Sequence, residues 1–436
     1  MQWNEFFAEN QVNYVWVQCT SYIGTTLVRM LPVARFVELI QQDDNLSVPS
    51  GVLYLLPHDH IVGGGCPTGS FFLKPDLTSL HLRPDSDGTR AVVMPWWVDQ
   101  DGRPIGQCAR SKLQSLTDQV QCQSAFSLCI GFEVEVILLR LNPEPGPGVI
   151  RAANLDHSWC SMTPDDERNL SLLEEVVNRL SAAGIVVQQV HAERSPGQWE
   201  FVLPPDHPLR AVDRLVIARQ AIRSIADKYG LRATLHPRPF PEFPGTGAHV
   251  HLSLNSTTQD GRQTEPFFAG ILQHFPAVSA FSLPHKLSYR RVAPGITSGG
   301  VDCAWGWDNR EVPLRRIAVN RFEVKMMDGL ANPYLALSAL LAAGLDGLLR
   351  QTPLTGGHCP APVSNLSADQ KAALGIQTRI PTSLQESLSA LEQSAPMRRY
   401  LGDPIVDTYL AVKKGELEEF HNTTAEEVHD WIISRF

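Results

Sequence analysis

The most informative segment of the chain is Ser127-Leu-Cys-Ile-Gly-Phe-Glu-Val-Glu-Val-Ile-Leu-Leu-Arg-Leu141, an apolar run that carries two carboxylates. Its large and branched apolar residues predict a β-strand, in which side chains two positions apart point to the same face. Glu133 and Glu135 therefore share one face of this strand. If that face is buried, the two like charges need a cation between them, because an unpaired buried carboxylate is costly. A solvent-exposed face is the alternative, since apolar residues alternate with the two acids.

On either side of this segment, the pattern predicts two parts of unequal size. Residues 1–107 contain short apolar strands, one short helix and many turn-forming residues, which predict a small, mostly β domain. Residues 108–436 interleave helices and strands, and strands often follow one another directly. This order favours antiparallel pairing and an α+β fold over the regular βαβ rhythm of a doubly wound sheet. The main predicted helices cover 110–120, 164–183, 208–229, 265–283 and 331–349, and the tail from 382 onward predicts a solvent-facing helical bundle.

The composition of the 436-residue chain is that of a globular protein, with 43% hydrophobic residues, 19% charged residues and a formal net charge of −9. The acidic balance and the lack of a Lys/Arg run argue against a nucleic-acid partner. No apolar stretch approaches the ~18 residues of a membrane span, and the first residues lack the pattern of a secretory signal. We therefore expect a cytoplasmic protein without a membrane partner. Its eight cysteines form no Cys-x-x-Cys pair and are expected to be reduced thiols.

Two further pairs of side chains with metal-binding chemistry stand out. Glu193 and Glu200 flank Ser195-Pro-Gly-Gln198, a turn that can fold two short strands back and bring both carboxylates together. His249 and His251 share a strand face after a glycine-rich turn, where the backbone can approach a ligand closely. The alternatives are a hairpin with two solvated acids and a pair of purely structural histidines.

Basic residues concentrate farther along, in a stretch otherwise rich in Gly, Pro and aromatic residues. Arginine forks match carboxylates and phosphates with two parallel hydrogen bonds, although a solvated basic face would give the same pattern. Glu323 and Lys325 then share one strand face. Carboxylates and imidazoles suit Mg²⁺ or Mn²⁺, and arginines beside such ions suit a phosphate-bearing substrate, so the inventory predicts a phosphoryl-transfer site without a P-loop. The arginines are Arg290, Arg291, Arg310, Arg315 and Arg316.

Taken in order, these segments resemble the glutamine synthetase family, most clearly between residues 108 and 350. Each motif alone is only moderately specific, but five motifs in the family's order make the resemblance strong. The Trp-Gly-x-Asp-Asn-Arg form is most similar to the branch that includes gamma-glutamyl-polyamine synthetases and other glutamine synthetase-like proteins. The motifs are Gly131-Phe-Glu-Val-Glu135, Pro196-Gly-Gln-Trp-Glu200, Gly245-x-Gly-x-His-x-His251, Trp305-Gly-x-Asp-Asn-Arg310 and Arg321-Phe-Glu-Val-Lys325.

The resemblance implies an N-terminal β-grasp domain over 1–107 and a catalytic domain over 108–436, built on a curved antiparallel sheet flanked by helices. It also implies a ring-shaped homo-oligomer with active sites between neighbouring subunits. Each site would use two Mg²⁺ or Mn²⁺ ions, with ATP as co-substrate. In such a site ATP phosphorylates the side-chain carboxylate of glutamate, and an amine then displaces the phosphate.

The resemblance also implies roles for individual residues. The first metal would be held by Glu135, Glu193 and Glu200, and the second by Glu133, His249 and Glu323. Glutamate would be positioned by Gly245 and Arg291, with Thr297 at the acceptor end. The transferring phosphoryl group would meet Arg310, Arg315 and Lys325, so that the residues closest to the chemistry are Arg291, Arg310 and Lys325. ATP would lie near His251, Ser253, Arg315 and Arg321.

Two departures from the family concern the place where ammonium binds. A neutral Thr297 stands in Ala293-Pro-Gly-Ile-Thr297, where glutamine synthetases proper carry a glutamate on a flap. The aspartate of an N-terminal Asp-Gly-Ser-Ser loop has no clear counterpart, since Asp59 is out of register. Without those carboxylates, nothing offsets the desolvation of NH₄⁺. Milder departures are Lys325 in place of an arginine and Pro244 in place of an asparagine.

We therefore expect an ATP-dependent carboxylate–amine ligase that joins the γ-carboxyl of glutamate, or of a similar acid, to an amine other than ammonia. The expectation rests on six retained metal ligands beside a lost ammonium site. Two alternatives stay open at this point. One is a glutamine synthetase that uses ammonia, and the other is a non-catalytic binding or structural protein with the same fold.

Overall fold

The computed structural model describes residues 3–86, 88–124, 126–140, 151–255, 261–295, 299–354 and 356–436. Thr297 lies outside these residues, so its predicted place at the acceptor end stays a prediction. Within the described part, no helix combines the length and the apolar character that crossing a bilayer requires.

The N-terminal part of the chain contains two small β-sheets. Its strands are β1 (Tyr14–Thr20), β2 (Thr26–Pro32), β3 (Leu46–Pro49), β4 (Ser70–Pro75), β5 (His81–Leu82), β6 (Arg90–Val93) and β7 (Pro95–Val98). One sheet has the order β2-β1-β6-β5 and the other has the order β3-β4-β7. All pairings are antiparallel except that of β1 with β6. The β-grasp assignment of this part, and its boundary at residue 107, stay predictions.

A larger sheet follows, and in the described residues it has nine strands. They are β8 (Ser127–Arg140), β9 (Arg151–Ala152), β10 (Gln189–Ala192), β11 (Gln198–Val202), β12 (Leu231–Thr234), β13 (Val250–Asn255), β14 (Trp305–Trp307), β15 (Leu314–Ala318) and β16 (Arg321–Val324). The main path is β10-β11-β8-β13-β16-β15-β14, and β9 and β12 also pair with β8. Within this sheet, only the pairing of β14 with β15 is parallel among the described strands, which confirms the predicted antiparallel, α+β character.

Helices cover the sheets and form much of the core. They are α1 (Trp3–Glu9), α2 (Val33–Gln41), α3 (Ala109–Ser124), α4 (Pro164–Glu167), α5 (Leu170–Ala182), α6 (Pro208–Lys228), α7 (Glu265–Ser282), α8 (Pro333–Arg350), α9 (Ala368–Ala373), α10 (Leu384–Glu392), α11 (Ala395–Leu401), α12 (Asp403–Glu419) and α13 (Ala425–Arg435). α3, α5 and α6 lie against one another or against β8, and α7 packs along α8. One continuous cluster of buried apolar side chains runs through both the N-terminal part and the large sheet.

The contact between α7 and α8 depends on small residues. A Cβ atom on Gly347 would lie 2.1 Å from the carbonyl oxygen of Pro266 and 2.7 Å from the Cα of Gly270. The two helix backbones can therefore approach closely only because neither position carries a side chain. α8 is almost fully buried, and it packs against α3, α6, α7 and α11.

The predicted solvent-facing tail is wrong, because the helices after residue 382 pack into the core. Ile405, Val406 and Tyr409 on α12 are each at most 1% exposed. Even Lys413 and Glu416 are buried, and they pair with each other at 2.9 Å. The apolar face of α12 thus outweighs its charged residues, since the two buried charges compensate each other.

The single helix predicted over 164–183 is also wrong, because two helices occupy that range. α4 ends at Glu167, and α5 begins at Leu170. Asp166 closes a capping box with Thr163 at the start of α4 and also contacts Asn154. Asn169, at the junction between the two helices, donates from its side chain to the same Asn154 at 3.1 Å. These contacts tie the first turn and the junction to the neighbouring loop before the apolar stripe of α5 begins.

Candidate active site

Strand register gathers the predicted acidic residues on one face of the large sheet. Glu200 on β11 lies directly opposite Glu135 on β8. On the other side of β8, β13 places His251 opposite Glu323 of β16. Glu135 is 5% exposed, which excludes the solvated-face alternative for this strand. Side chains from four adjacent strands therefore converge on one place.

The predicted hairpin between β10 and β11 brings Glu193 to the same place. Gly197, with a φ of +73°, allows the turn, and the backbone N–H of Glu193 donates to the Gln198 carbonyl at 2.9 Å. The side chain of Gln198 then donates to Glu135 Oε2 at 2.6 Å and to the Gly245 carbonyl at 3.2 Å. Glu200, the other acid of this hairpin, is 6% exposed, so the solvated-hairpin alternative is excluded as well.

A cavity of about 300 Å³ lies over this face of the sheet. Its lining contains all six predicted metal ligands together with Gly245 and the predicted cationic groups Arg291, Arg310, Arg315 and Lys325. Other lining residues are Trp159, Gln189, His191, Arg194, Gln198, Val202 and Pro244.

The predicted ATP residues outside this lining continue along β13 and β16. His251 Nε2 lies 2.7 Å from Glu133 Oε1, and its Nδ1 lies 3.0 Å from Arg321 Nη2. Ser253 lies opposite Arg321 in the strand register. The three residues therefore form a row that leads away from Glu133, at the edge of the cavity.

The donor set fits divalent cations. Three groups each bring ligand atoms within 4.8 Å of one another, and they are Glu133, Glu200 and His249; Glu133, His251 and Glu323; and His191, Glu193 and Glu200. His249 Nε2 is buried without a hydrogen-bond partner among the described residues. Carboxylate oxygens with an occasional imidazole are ligands that Mg²⁺ and Mn²⁺ accept.

These groups differ in detail from the sets that the sequence implied. His191 joins Glu193 and Glu200, where the resemblance put Glu135. His251, predicted near ATP, joins Glu133 and Glu323. Because each carboxylate has two oxygens, the same side chains can satisfy either partition. The six implied ligands lie together in the structure, while their assignment to particular ions stays a prediction.

The carboxylates have strongly divergent pKa values. Burial raises the pKa of Glu200 to about 10, and the neighbouring carboxylates add to the rise. Burial also raises the pKa of Glu135. For Glu323 burial acts in the same direction, but Lys325 and His249 outweigh it and lower the pKa to about 2. Such crowding of acids is the environment in which a divalent cation replaces a proton.

Cationic groups face these acids. Glu323 pairs with Arg315 Nη1 and with Lys325 Nζ, both at 3.0 Å. Arg291 is 1% exposed, and its Nη1 donates to the Lys325 carbonyl at 3.2 Å. Arg310 is exposed, so among the four predicted cationic groups it has the most freedom to meet a ligand.

Sequence reasoning missed several lining residues. His191 is two residues before Glu193, and the strand alternation that revealed the other pairs could have indicated it. Trp159 lies in an irregular segment and is 45% exposed, with the Arg194 guanidinium 4.6 Å from its ring centre. No periodicity marks such a segment, so the sequence offered no signal for Trp159.

Carboxylates at cation-binding spacing, faced by arginines on an antiparallel sheet, define a candidate site for metal-dependent phosphoryl chemistry. Residues 106–436 match the family described as "Glutamine synthetase, catalytic domain". The chain therefore belongs to the glutamine synthetase family, as its motifs predicted. ATP and divalent metal ions are typical of this family.

Two proteins and one solved structure are similar to this chain over at least 90% of its length. The chain is 40% identical over 427 residues to Protein fluG of Emericella nidulans, covering 98% of this chain but 49% of that protein, so it spans about half the length of this relative. It is 31% identical over 430 residues to Gamma-glutamylpolyamine synthetase GlnA3 of Streptomyces coelicolor, covering 90% and 87%. The solved structure of a GmaS/ADP complex has the same fold, with a TM-score of 0.81, 21% identity and 97% coverage of both chains.

Proposed function

We propose that the protein is an ATP-dependent ligase that joins the γ-carboxyl group of glutamate, or of a similar acid, to an organic amine. The observation that carries this proposal is the cavity in which five glutamates and two histidines meet five arginine and lysine side chains. Ligands for cations and ligands for anions lie side by side there, as a reaction between ATP and a carboxylate requires, because its two anionic reactants otherwise repel each other.

The residues divide into three groups by role. Glu133, Glu135, Glu193, Glu200, His249 and Glu323 would hold two Mg²⁺ or Mn²⁺ ions. These ions would supply the positive charge that offsets the negative charge of ATP and of the carboxylate. Arg291 and Gly245 would position the acid, and the ATP phosphates would extend toward His251, Ser253 and Arg321.

The reaction proceeds in two steps. A carboxylate oxygen of the acid attacks the γ-phosphorus of ATP, and ADP leaves. Arg310, Arg315 and Lys325 bind the moving phosphoryl oxygens. The amine nitrogen then attacks the acyl carbon, phosphate departs with the electrons of the C–O bond, and the nitrogen loses one proton.

The acid side chains of the cavity argue for an amine other than ammonia. All five glutamates that line it belong to the proposed metal ligands, so none among the described lining residues is left to bind NH₄⁺. Asp59 lies at an exposed turn with a φ of +63° and does not line the cavity of its own subunit. An ammonium ion without a carboxylate partner regains little of its hydration energy. The similarity to a gamma-glutamylpolyamine synthetase supports the same choice.

We also propose a ring-shaped homo-oligomer for this chain. In such a ring the exposed turn that carries Asp59 would approach the cavity of a neighbouring subunit. The N-terminal part, which is the part least similar to the family, would then help to select the amine.

The test is phosphate release by the purified chain with ATP, Mg²⁺ or Mn²⁺ and glutamate, comparing ammonia with mono-, di- and polyamines. Release that depends on an organic amine and not on ammonia is the expected result. The Glu323→Ala variant provides the blank, and Glu174→Ala, at an exposed position on α5, is the matched control that should retain activity. Full turnover with ammonia and none with any organic amine would refute the proposed acceptor. Silence with every amine would refute glutamate as the acid, and it would leave a related acid or the non-catalytic alternative.

A further inference from the structure

A second, smaller cavity of about 40 Å³ lies apart from the candidate active site, and the two have no lining residue in common. It lies where α6 meets the turn between β1 and β2 and the end of α13. Three arginines line it, Arg219 and Arg223 of α6 and Arg435 of α13. No aspartate or glutamate is among its lining residues.

Arg219 lines this cavity and carries unused hydrogen-bond donors. The residue is 7% exposed, and its Nε and Nη2 atoms are buried without a hydrogen-bond partner in the described part of the chain. These two N–H groups form one edge of the guanidinium, the edge that binds both oxygens of an oxyanion in parallel. A buried donor pair left unpaired is costly, so the structure favours an occupant that accepts both bonds.

Arg223 reinforces the positive charge one helical turn later. Positions four apart share a face of a helix, so Arg219 and Arg223 lie next to each other. Arg223 Nη1 donates to the Arg435 carbonyl at 2.8 Å, while its Nε is buried and unpartnered among the described residues. Both side chains therefore keep donors available at the same cavity.

Charge compensation at this place is incomplete. Within the described residues, none of the three arginines forms a salt bridge. Burial lowers the pKa of Arg219 to about 10, and the buried carboxylate of Asp328 offsets only part of that effect. Burial also lowers the pKa of Arg223. A partly buried cluster of like charges is stabilised when an anion enters it.

We propose that the cavity between Arg219 and Arg223 is a binding site for a small oxyanion, a phosphate or carboxylate group held in two parallel hydrogen bonds by Arg219. The site is separate from the proposed ligase centre, and it does not depend on that function. Thr20 and Thr26, which also line the cavity, offer hydroxyl groups to the remaining oxygens of the anion.

Anion-dependent stability of the full chain tests this proposal. The melting temperature is measured with inorganic phosphate and with sodium chloride at equal ionic strength, for the wild type and for an Arg219→Met/Arg223→Met variant. Phosphate should raise the melting temperature of the wild type by several degrees more than chloride, and the double variant should lose this difference. Because Arg315 is itself a proposed phosphate contact of the candidate active site, the comparison is repeated in an Arg315→Met background, where the difference due to Arg219 and Arg223 should persist.

Two further measurements protect the test against a variant that does not fold. Arg223→Gln changes a half-buried position and should lower the affinity for phosphate about tenfold. Anomalous diffraction from wild-type crystals soaked in selenate should show a peak beside Arg219 Nε and Nη2. A selenate peak confined to the active-site cavity, a phosphate effect equal to that of chloride, or an effect that survives in the double variant would overturn the proposal.

Discussion

Replacing Gln198 by methionine tests how the candidate active site holds Glu135. The Gln198 side chain is 1% exposed and makes three hydrogen bonds, to Glu135 Oε2 at 2.6 Å, to the Gly245 carbonyl at 3.2 Å and from the Ser195 N–H at 2.9 Å. Methionine has a similar length but lacks strong donors and acceptors. The substitution therefore removes the hydrogen bonds while it keeps the space filled.

The expected magnitude follows from these contacts. The bond to the carboxylate contributes about 2 kcal/mol, and the two others contribute about 1 kcal/mol each. The apolar methionine recovers about 1 kcal/mol through burial, so the free energy of unfolding should fall by about 3 kcal/mol. Glu135 keeps a hydrogen bond from the Gly247 N–H at 2.8 Å but loses its second donor. Loss of a group that orients a ligand lowers metal affinity about 10- to 100-fold.

The two effects are measured separately. Urea denaturation in EDTA gives the free energy of unfolding, and calorimetric titration with MnCl₂ gives the metal affinity. Gln114→Met is the matched control, because Gln114 Nε2 also donates to a carboxylate, that of Asp118, at 2.7 Å but on the surface. Gln114→Met should lower the free energy of unfolding by less than about 0.5 kcal/mol and leave Mn²⁺ binding unchanged. Wild-type Mn²⁺ affinity in Gln198→Met would refute the reasoning, even if stability falls.

Three more predictions concern other charged groups. Mn²⁺ at a hundred times its dissociation constant should stabilise the wild type by about 2.7 kcal/mol in thermal unfolding, and EDTA should reverse this stabilisation. The Glu200→Gln variant should lose most of the stabilisation by Mn²⁺. If Mn²⁺ stabilises the variant as much as the wild type, Glu200 is not a ligand. Burial holds the pKa of His285 well below its usual value, so the unfolded chain takes up the extra proton below about pH 6.5. The free energy of unfolding should therefore fall as the pH decreases from 7 to 5, less steeply in His285→Gln, and equal slopes would contradict this. Lys413→Met should lower the free energy of unfolding by about 3–5 kcal/mol, because it leaves the buried Glu416 unpaired. Lys414→Met removes an exposed pair and should lower it by less than about 0.5 kcal/mol. Similar decreases for the two variants in urea denaturation would be inconsistent with the buried pair.

Strand periodicity predicted much of the candidate site. Glu133 and Glu135 share a face because side chains in a strand alternate, and the hairpin at Ser195–Gln198 follows from a local turn. The sequence could not indicate which strands lie beside β8, because register depends on hydrogen bonds between distant segments. For that reason the grouping of His251 with Glu133 became visible only in the structure.

The errors in the helical regions have a similar origin. The predicted helix over 164–183 contains the buried apolar stripe of α5, but the break before Leu170 lies beside contacts of Asp166 and Asn169 with residues of a neighbouring loop. Charged residues made the C-terminal tail look solvated, although Lys413 and Glu416 neutralise each other inside the core. The local sequence pattern predicts which face of a helix or strand is apolar. Whether two opposite charges can neutralise each other inside the core depends on how distant segments pack.

The central position of β8 has a consequence for how the protein is made. Among the described strands of its sheet, β8 is the first along the chain, and one of its two main neighbours, β13, begins roughly 110 residues after β8 ends. At about 5–20 residues per second, a ribosome needs roughly 5–20 s to deliver that neighbour. During this time β8 has an unpaired apolar edge, the kind of surface that chaperones cover. Slower translation between β8 and β13 would lengthen this exposure, so the yield of folded chain in a foreign host should depend on codon choice in that interval.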